Sequence, residues 1–245
     1  MFNKDDFLCI KRGVYLEKEL DINTPIYRYT SYLNFLLLLA NNLHIPLRKC
    51  FEDKLEKNSF FNIFLSDLHP TDSLISKKEQ EQSSYLHNKL QNAINTLYTS
   101  CWTLETQENY LMWKSYTPNE GGIRIESTIN DFVNSINENK FDIYIGKIKY
   151  SNCKLKKDIQ DTLFFKQNYY KNEQEIRFYF KSKTLDKDKF DLPPIFYLKV
   201  NPEKLIKKII TSPFIKRGNN IKIINELTSK YSYLKNKITH SRILI

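Results

Sequence analysis

Over residues 97–127 the chain reads LYTSCWTLETQENYLMWKSYTPNEGGIRIES, and the spacing of its apolar and polar positions changes three times. Leu97, Thr99 and Cys101 alternate with Tyr98, Ser100 and Trp102, the two-residue period of a strand with different chemistry on each face. Tyr110, Trp113 and Tyr116 then recur at three-residue spacing with Met112 beside them, which predicts a short helix within 107–116 carrying one aromatic face. Pro118 and the Gly121-Gly122 pair end it, and Ile123, Ile125 and Ser127 alternate with Arg124 and Glu126 as a second strand. A second dense stretch, FFKQNYYKNEQEIRFYF over 164–180, predicts a strand at 173–181. There Glu173, Glu175, Arg177 and Tyr179 share one face and Ile176, Phe178 and Phe180 the other, so the front of the sheet lines something wet.

The same reading places the remaining elements. Residues 1–24 form an irregular lead-in, and 26–30 a strand on which Arg28 points with Ile26 and Thr30. Ser31 caps a helix over 32–43 whose LNFLLLLA centre is apolar on nearly every side, which predicts deep burial. Periodicity weakens over 44–77, the place of a lid or insertion, and an amphipathic helix follows over 78–96. Thr128 with Asp131 opens another helix, and 142–150 alternates as a strand. A short helix is expected over 158–169 and a strand over 195–200, after which Asn201, Pro202 and Glu203 start one more turn of helix. The segment 210–220 reads as a loop, 221–231 as a helix and 237–243 as a last strand. The prediction is an α+β fold: one domain over 25–245 with a twisted mixed sheet, an aromatic-rich cleft and peripheral helices.

Charge adds a class of partner to this picture. The net charge of +10 favours a polyanion, and Lys204, Lys207, Lys208, Lys216, Arg217 and Lys222 form the best basic cluster, able to contact nucleic-acid phosphates or to serve as a solvated face. Only five glycines argue against a glycine-cradled dinucleotide fold. Cys9, Cys50, Cys101 and Cys153 stand far apart, matching neither a zinc knuckle nor a disulfide framework, so reduced thiols in a cytoplasmic protein are expected. His44, His69, His87 and His240 lack ligand spacing, and no metal is predicted. The acidic Asp5-Asp6 pair sits where a signal peptide has its apolar core, and the apolar run 35–40 is too short to cross a bilayer, so no membrane association is expected.

An ordered set of short motifs resembles the bacterial domain-of-unknown-function family 2971. It comprises Tyr27-Arg28-Tyr29, Ser100-Cys101-Trp102, Met112-Trp113 with Tyr116, Gly122-Ile123-Arg124-Ile125-Glu126, Ile148-Lys149-Tyr150, and Lys166 with Glu173, Glu175 and Arg177. More distantly, Arg28, then Ser100 within Tyr98-Thr99-Ser100, then Glu173 and Glu175 resemble the order of motifs in ADP-ribosyltransferases of the Arg-Ser-Glu type. That resemblance implies NAD as substrate and a possible effector of toxin or phage-defence type. Arg28 would hold a pyrophosphate, Glu175 would stabilise an oxocarbenium-like centre, and Glu173 would orient the acceptor. Ser100 would brace the site, and Tyr29, Tyr98, Trp102, Trp113, Tyr116 and Arg177 would surround the cofactor. Three other readings of the same residues stay open: a partly buried ionic network that only stabilises the sheet, a non-catalytic nucleotide-sensing module, and a protein that binds nucleic-acid phosphates through its basic cluster.

Overall fold

The computed structural model describes residues 2–50, 84–85, 88–89, 96–117, 121–138, 140–151, 160, 163–183 and 192–243. Within them the chain is an α+β domain built on a nine-stranded mixed sheet. The strands are β1 (Phe7–Lys11), β2 (Val14–Glu17), β3 (Pro25–Ser31), β5 (Leu97–Thr103), β6 (Gly122–Thr128), β7 (Phe141–Lys147), β10 (Glu175–Ser182), β12 (Lys208–Thr211) and β13 (Ile238–His240), in the spatial order β1-β2-β7-β10-β5-β3-β6-β12-β13. The β2–β7 and β12–β13 pairs are parallel and the rest antiparallel. Two small ribbons flank this sheet: β4 (Asn42–Pro46) with β11 (Ile195–Lys199), and β8 (Lys149–Ser151) with β9 (Phe165–Gln167).

Period-two alternation along the central strands separates two packed layers. Ile26, Trp102, Ile176, Phe178 and Phe180 face the main core, where they meet Phe35 and Leu38 of α1 (Tyr32–Leu39) and Phe132 of α3 (Ile129–Ser135). Phe132 and Phe178 lie 4.5 Å apart between ring centroids, and Trp102 meets Phe132 edge-on at 5.8 Å. On the reverse face, Leu97, Tyr144 and Tyr179 pack with Phe7 and Phe164, while Tyr29, Ile210 and Trp113 of α2 (Tyr110–Tyr116) form a third cluster. Two further helices are α4 (Pro202–Leu205) and α5 (Arg217–Lys230).

Several expectations are corrected by backbone geometry. Residues 7–17 are not irregular, because β1 and β2 extend the sheet at its edge through the parallel pairing of β2 with β7. The helix begun by Ser31, whose hydroxyl accepts from the Asn34 amide, stops at Leu39 because Asn41 adopts a left-handed conformation (φ 63°) and turns the chain into β4. It is not buried all round either, since Leu33 is 68% and Leu36 50% exposed. The strand expected over 142–150 breaks at Ile148 into β7 and β8, and the loop expected at 210–220 yields its first residues to β12 and its last to α5. Most of 44–77 and of the helix expected over 78–96 lies outside the described residues; of the helix expected over 158–169, residues 158, 159, 161 and 162 lie outside them, and Phe165–Gln167 form β9 instead, paired with β8.

Two glycines test the packing. A Cβ on Gly122 would stand 2.5 Å from the Thr30 carbonyl oxygen on the neighbouring strand and against the Thr117 side chain, whereas one on Gly218, in the first turn of α5, meets nothing within 4 Å. Gly122→Ala should therefore lower stability by about 1–3 kcal/mol through overpacking. Gly218→Ala should raise it by about 0.5–1 kcal/mol by restricting the unfolded chain. Denaturant unfolding of the two variants reads both signs directly.

Candidate functional site

The sheet is continuous in strand order but not in hydrogen bonding. β3 is paired along its length with β6, and β5 with β10, yet β3 and β5 meet only at Tyr27 and Thr103. Beyond that pair the two strands part. The gap is a cleft of about 520 Å³ with Arg28, Thr30 and Ser31 of β3 on one wall and Thr99 and Cys101 of β5 on the other. His44 and Pro46 of β4 close one side, and Tyr116, Lys166 and Tyr170 another. A recess of about 20 Å³ continues inward to Trp102, Thr103 and Met112.

Arg28 sits where the strands part. Its guanidinium donates to Ser100 Oγ (3.2 Å) and to the His44 carbonyl (3.1 Å), and lies 5.9 Å from the Trp102 ring centroid. Ser100 Oγ also accepts from Trp102 Nε1 (3.0 Å), which fixes the hydroxyl that orients the arginine. Among the described residues no carboxylate pairs with Arg28. Burial pulls its pKa down to about 10, leaving it charged at neutral pH. Burial and then the adjacent Arg28 charge likewise push His44 below its ordinary value.

The acidic end of the cleft is different in kind. Arg177, 0% exposed, grips Glu175 with Nε on Oε1 (2.6 Å) and Nη2 on Oε2 (3.0 Å), and Lys166 Nζ adds a contact at 2.9 Å. Lys166 also bonds Glu173 (2.7 Å) and lies 4.6 Å from the Tyr170 ring centroid. Arg177 extends the network through Nη1 to the Leu163 carbonyl and the Tyr179 hydroxyl. Burial alone would raise the Glu175 carboxyl; Arg177 and Lys166 outweigh it and hold the group well below the usual carboxylate range. Around this network burial, with the charge of Glu175, pushes the Cys101 thiol up. Burial, with Glu173 and Glu175, does the same to the Tyr116 hydroxyl, although part of the Tyr116 ring is exposed. Among the described residues two cations and two carboxylates pair with one another here, whereas Arg28 meets no carboxylate.

The structure thus brings Arg28, Tyr29, Trp102, Tyr116, Glu173 and Glu175 to one cavity. Ser100 stands behind Arg28 as its hydrogen-bond partner, and Arg177 behind Glu175. Tyr98 and Trp113 do not join them. Tyr98 faces the main core and donates to the Pro193 carbonyl, while Trp113 packs edge-on against Tyr29 at 4.8 Å with its Nε1 on Glu108. Glu173 is not on the face of β10, because Gln174 turns left-handed (φ 42°) before the strand begins. Thr99, His44 and Tyr170 are wall residues that sequence reasoning missed; alternation placed Thr99 on this face of β5 but gave no sign of a gap beside it.

These contacts correct the NAD-cleaving, ADP-ribosyltransferase reading. A carboxylate that stabilises a developing cation must face it, but Glu175 is 3% exposed and both its oxygens are committed to Arg177 and Lys166. It is the anion of a buried ion-pair network. Among the described residues no group of three or more His, Cys, Asp or Glu could hold a metal ion, and no helix is long and apolar enough to cross a membrane. The residues of the basic cluster lie on several elements: Lys204 is on α4, Lys208 on β12 and Lys222 on α5, while Lys207 is paired with Asp131 at 2.9 Å. No family model, curated protein or solved structure matches the chain.

Proposed function

We propose that the cleft between β3 and β5 is the binding site of a small ligand that combines a planar ring with an anionic group, and that the protein works as a non-catalytic nucleotide-sensing module. The observation that carries this reading is Arg28. A half-buried guanidinium without a carboxylate among the described residues retains a desolvation cost that a ligand anion offsets. Its two described hydrogen bonds leave donors for a bidentate contact with a carboxylate or phosphate. The volume of about 520 Å³ falls among pockets that enclose small molecules, and the part-exposed rings of Tyr116 and Tyr170 on its wall supply stacking surfaces.

The neutralised glutamates at the far end suit recognition rather than bond breaking. Calorimetric titration with adenosine, guanosine, cytidine and uridine 5′-monophosphates tests the reading. At least one should bind, and Arg28→Gln should weaken it at least tenfold while the variant unfolds near the wild-type temperature, since it loses a half-buried charge that meets no carboxylate among the described residues and keeps an amide donor in its place. Absence of binding by all four, or affinity unchanged in Arg28→Gln, would sink the proposal.

A further inference from the structure

Resting on that reading of the cleft, we infer that His44 is the proton partner of its anion site: an anion seated on Arg28 draws a proton onto the His44 imidazole, so that the cleft takes up ligand and proton together. Geometry sets the two residues side by side. His44 and Arg28 line the same cavity, and the guanidinium donates through Nη2 to the His44 carbonyl (3.1 Å). His44 is half-buried on β4, its ring edge-on to that of Tyr197 at 6.1 Å between centroids. Among the described residues few other charges act on it. β4 pairs with β11 and packs against α1 and β5. Of these, α1 and β5 carry no acidic or basic side chain, and β11 carries Lys199, whose Nζ donates to Asn42 Oδ1 at 2.6 Å. The tyrosines of these elements (Tyr32, Tyr98, Tyr197) and Cys101 are phenols and a thiol, groups that titrate above the imidazole range. Across the cleft, Lys166 bonds Glu173 and Glu175.

Burial and then the Arg28 charge keep the imidazole of the empty cleft neutral near pH 7. A ligand anion reverses the second of these: it offsets the field of the guanidinium and adds a negative charge that favours the imidazolium. Linkage makes the effect reciprocal, because an anion that raises the affinity of His44 for a proton is itself bound more tightly when that proton is present. Affinity therefore rises as pH falls between the titration midpoints of the liganded and the empty protein. Below both midpoints the ring is charged in either state and above both it is neutral, so the dependence flattens at each end.

The imidazole signals of the protein, with that of His44 identified by its loss in His44→Asn, are followed by NMR over about pH 5–8. Without ligand, Arg28→Gln should move the His44 midpoint up, since the repelling charge is gone. Saturating wild-type protein with whichever of the four 5′-monophosphates binds should move it up as well. Calorimetric affinity for that monophosphate at about pH 6 and about pH 8 supplies the reciprocal measurement: the change in favour of the lower pH should be about threefold larger in wild type than in His44→Asn, a comparison in which the titration of the phosphate itself cancels. A His44 midpoint that stays or falls on saturation overturns the inference and leaves the cleft reading standing. So does a midpoint indifferent to Arg28→Gln, or an equal pH dependence of affinity in the two proteins. Failure of every monophosphate to bind wild-type protein overturns both.

Discussion

Glu175→Gln should lower folding stability by about 3–5 kcal/mol, the cost of removing one partner from a buried ion pair. The glutamine fits the space but cannot neutralise Arg177, which is fully enclosed and receives its countercharge from Glu175. The wild-type pH profile should carry the same signature. Because the folded carboxyl titrates below its unfolded value of about 4.5, its contribution is complete above that pH and is lost progressively as pH falls through the folded value. Wild-type stability should therefore decline below about pH 4.5, and Glu175→Gln should flatten that part of the curve. Urea unfolding at pH 7, 5, 4 and 3 measures both. An equal acid slope in the two proteins would assign the loss to other carboxylates.

Trp113→Ala should cost a similar amount, about 3–5 kcal/mol, and for a different reason. Trp113 is 0% exposed and is among the largest fully enclosed side chains, so alanine leaves a cavity between α2 and the sheet. The indole also joins the C-terminal segment indirectly: Glu108 accepts from Trp113 Nε1 and from the backbone of Arg242, and binds the Ser241 hydroxyl. Truncation therefore removes packing from Tyr29, a cleft wall, and one partner from the carboxylate that ties down residues 241–242. Trp113→Phe keeps most of the apolar volume and loses only the N–H, so chemical denaturation should show less than half the alanine loss. Equal losses would locate the effect in the hydrogen bond.

What the sequence disclosed about this protein is mostly what is local. Ser31 with Asn34, Thr128 with Asp131 and Asn201 with Lys204 are caps completed within one turn, and all three form as their residue types require. The two faces of β5 and most of β10 follow from alternation, and Arg28 does point with Ile26 toward Ser100. Harder to read was whatever depends on a distant strand or a single dihedral. β1 mixes buried and exposed positions without a period, and its pairing is settled only with β2 and β7 in place. Gln174 gives no compositional warning of its left-handed turn, yet that one residue moves Glu173 off the strand. Aromatic content was an ambiguous guide, since Tyr116 lines the cleft while Tyr98 and Trp113 fill cores.

The parting of β3 from β5 has a mechanical meaning for the whole sheet. On one side stand β1, β2, β7, β10 and β5, on the other β3, β6, β12 and β13, and one residue pair is the hydrogen-bonded rung between the two groups. Cohesion across that seam comes instead from side chains beneath it, where Ile26, Trp102 and Phe178 share one apolar layer with α1 and α3. Such a sheet is two cooperative plates on a common cushion, able to open locally along the seam without dissolving either plate. A molecule seated in the cleft would touch both plates at once and so oppose their parting along the seam.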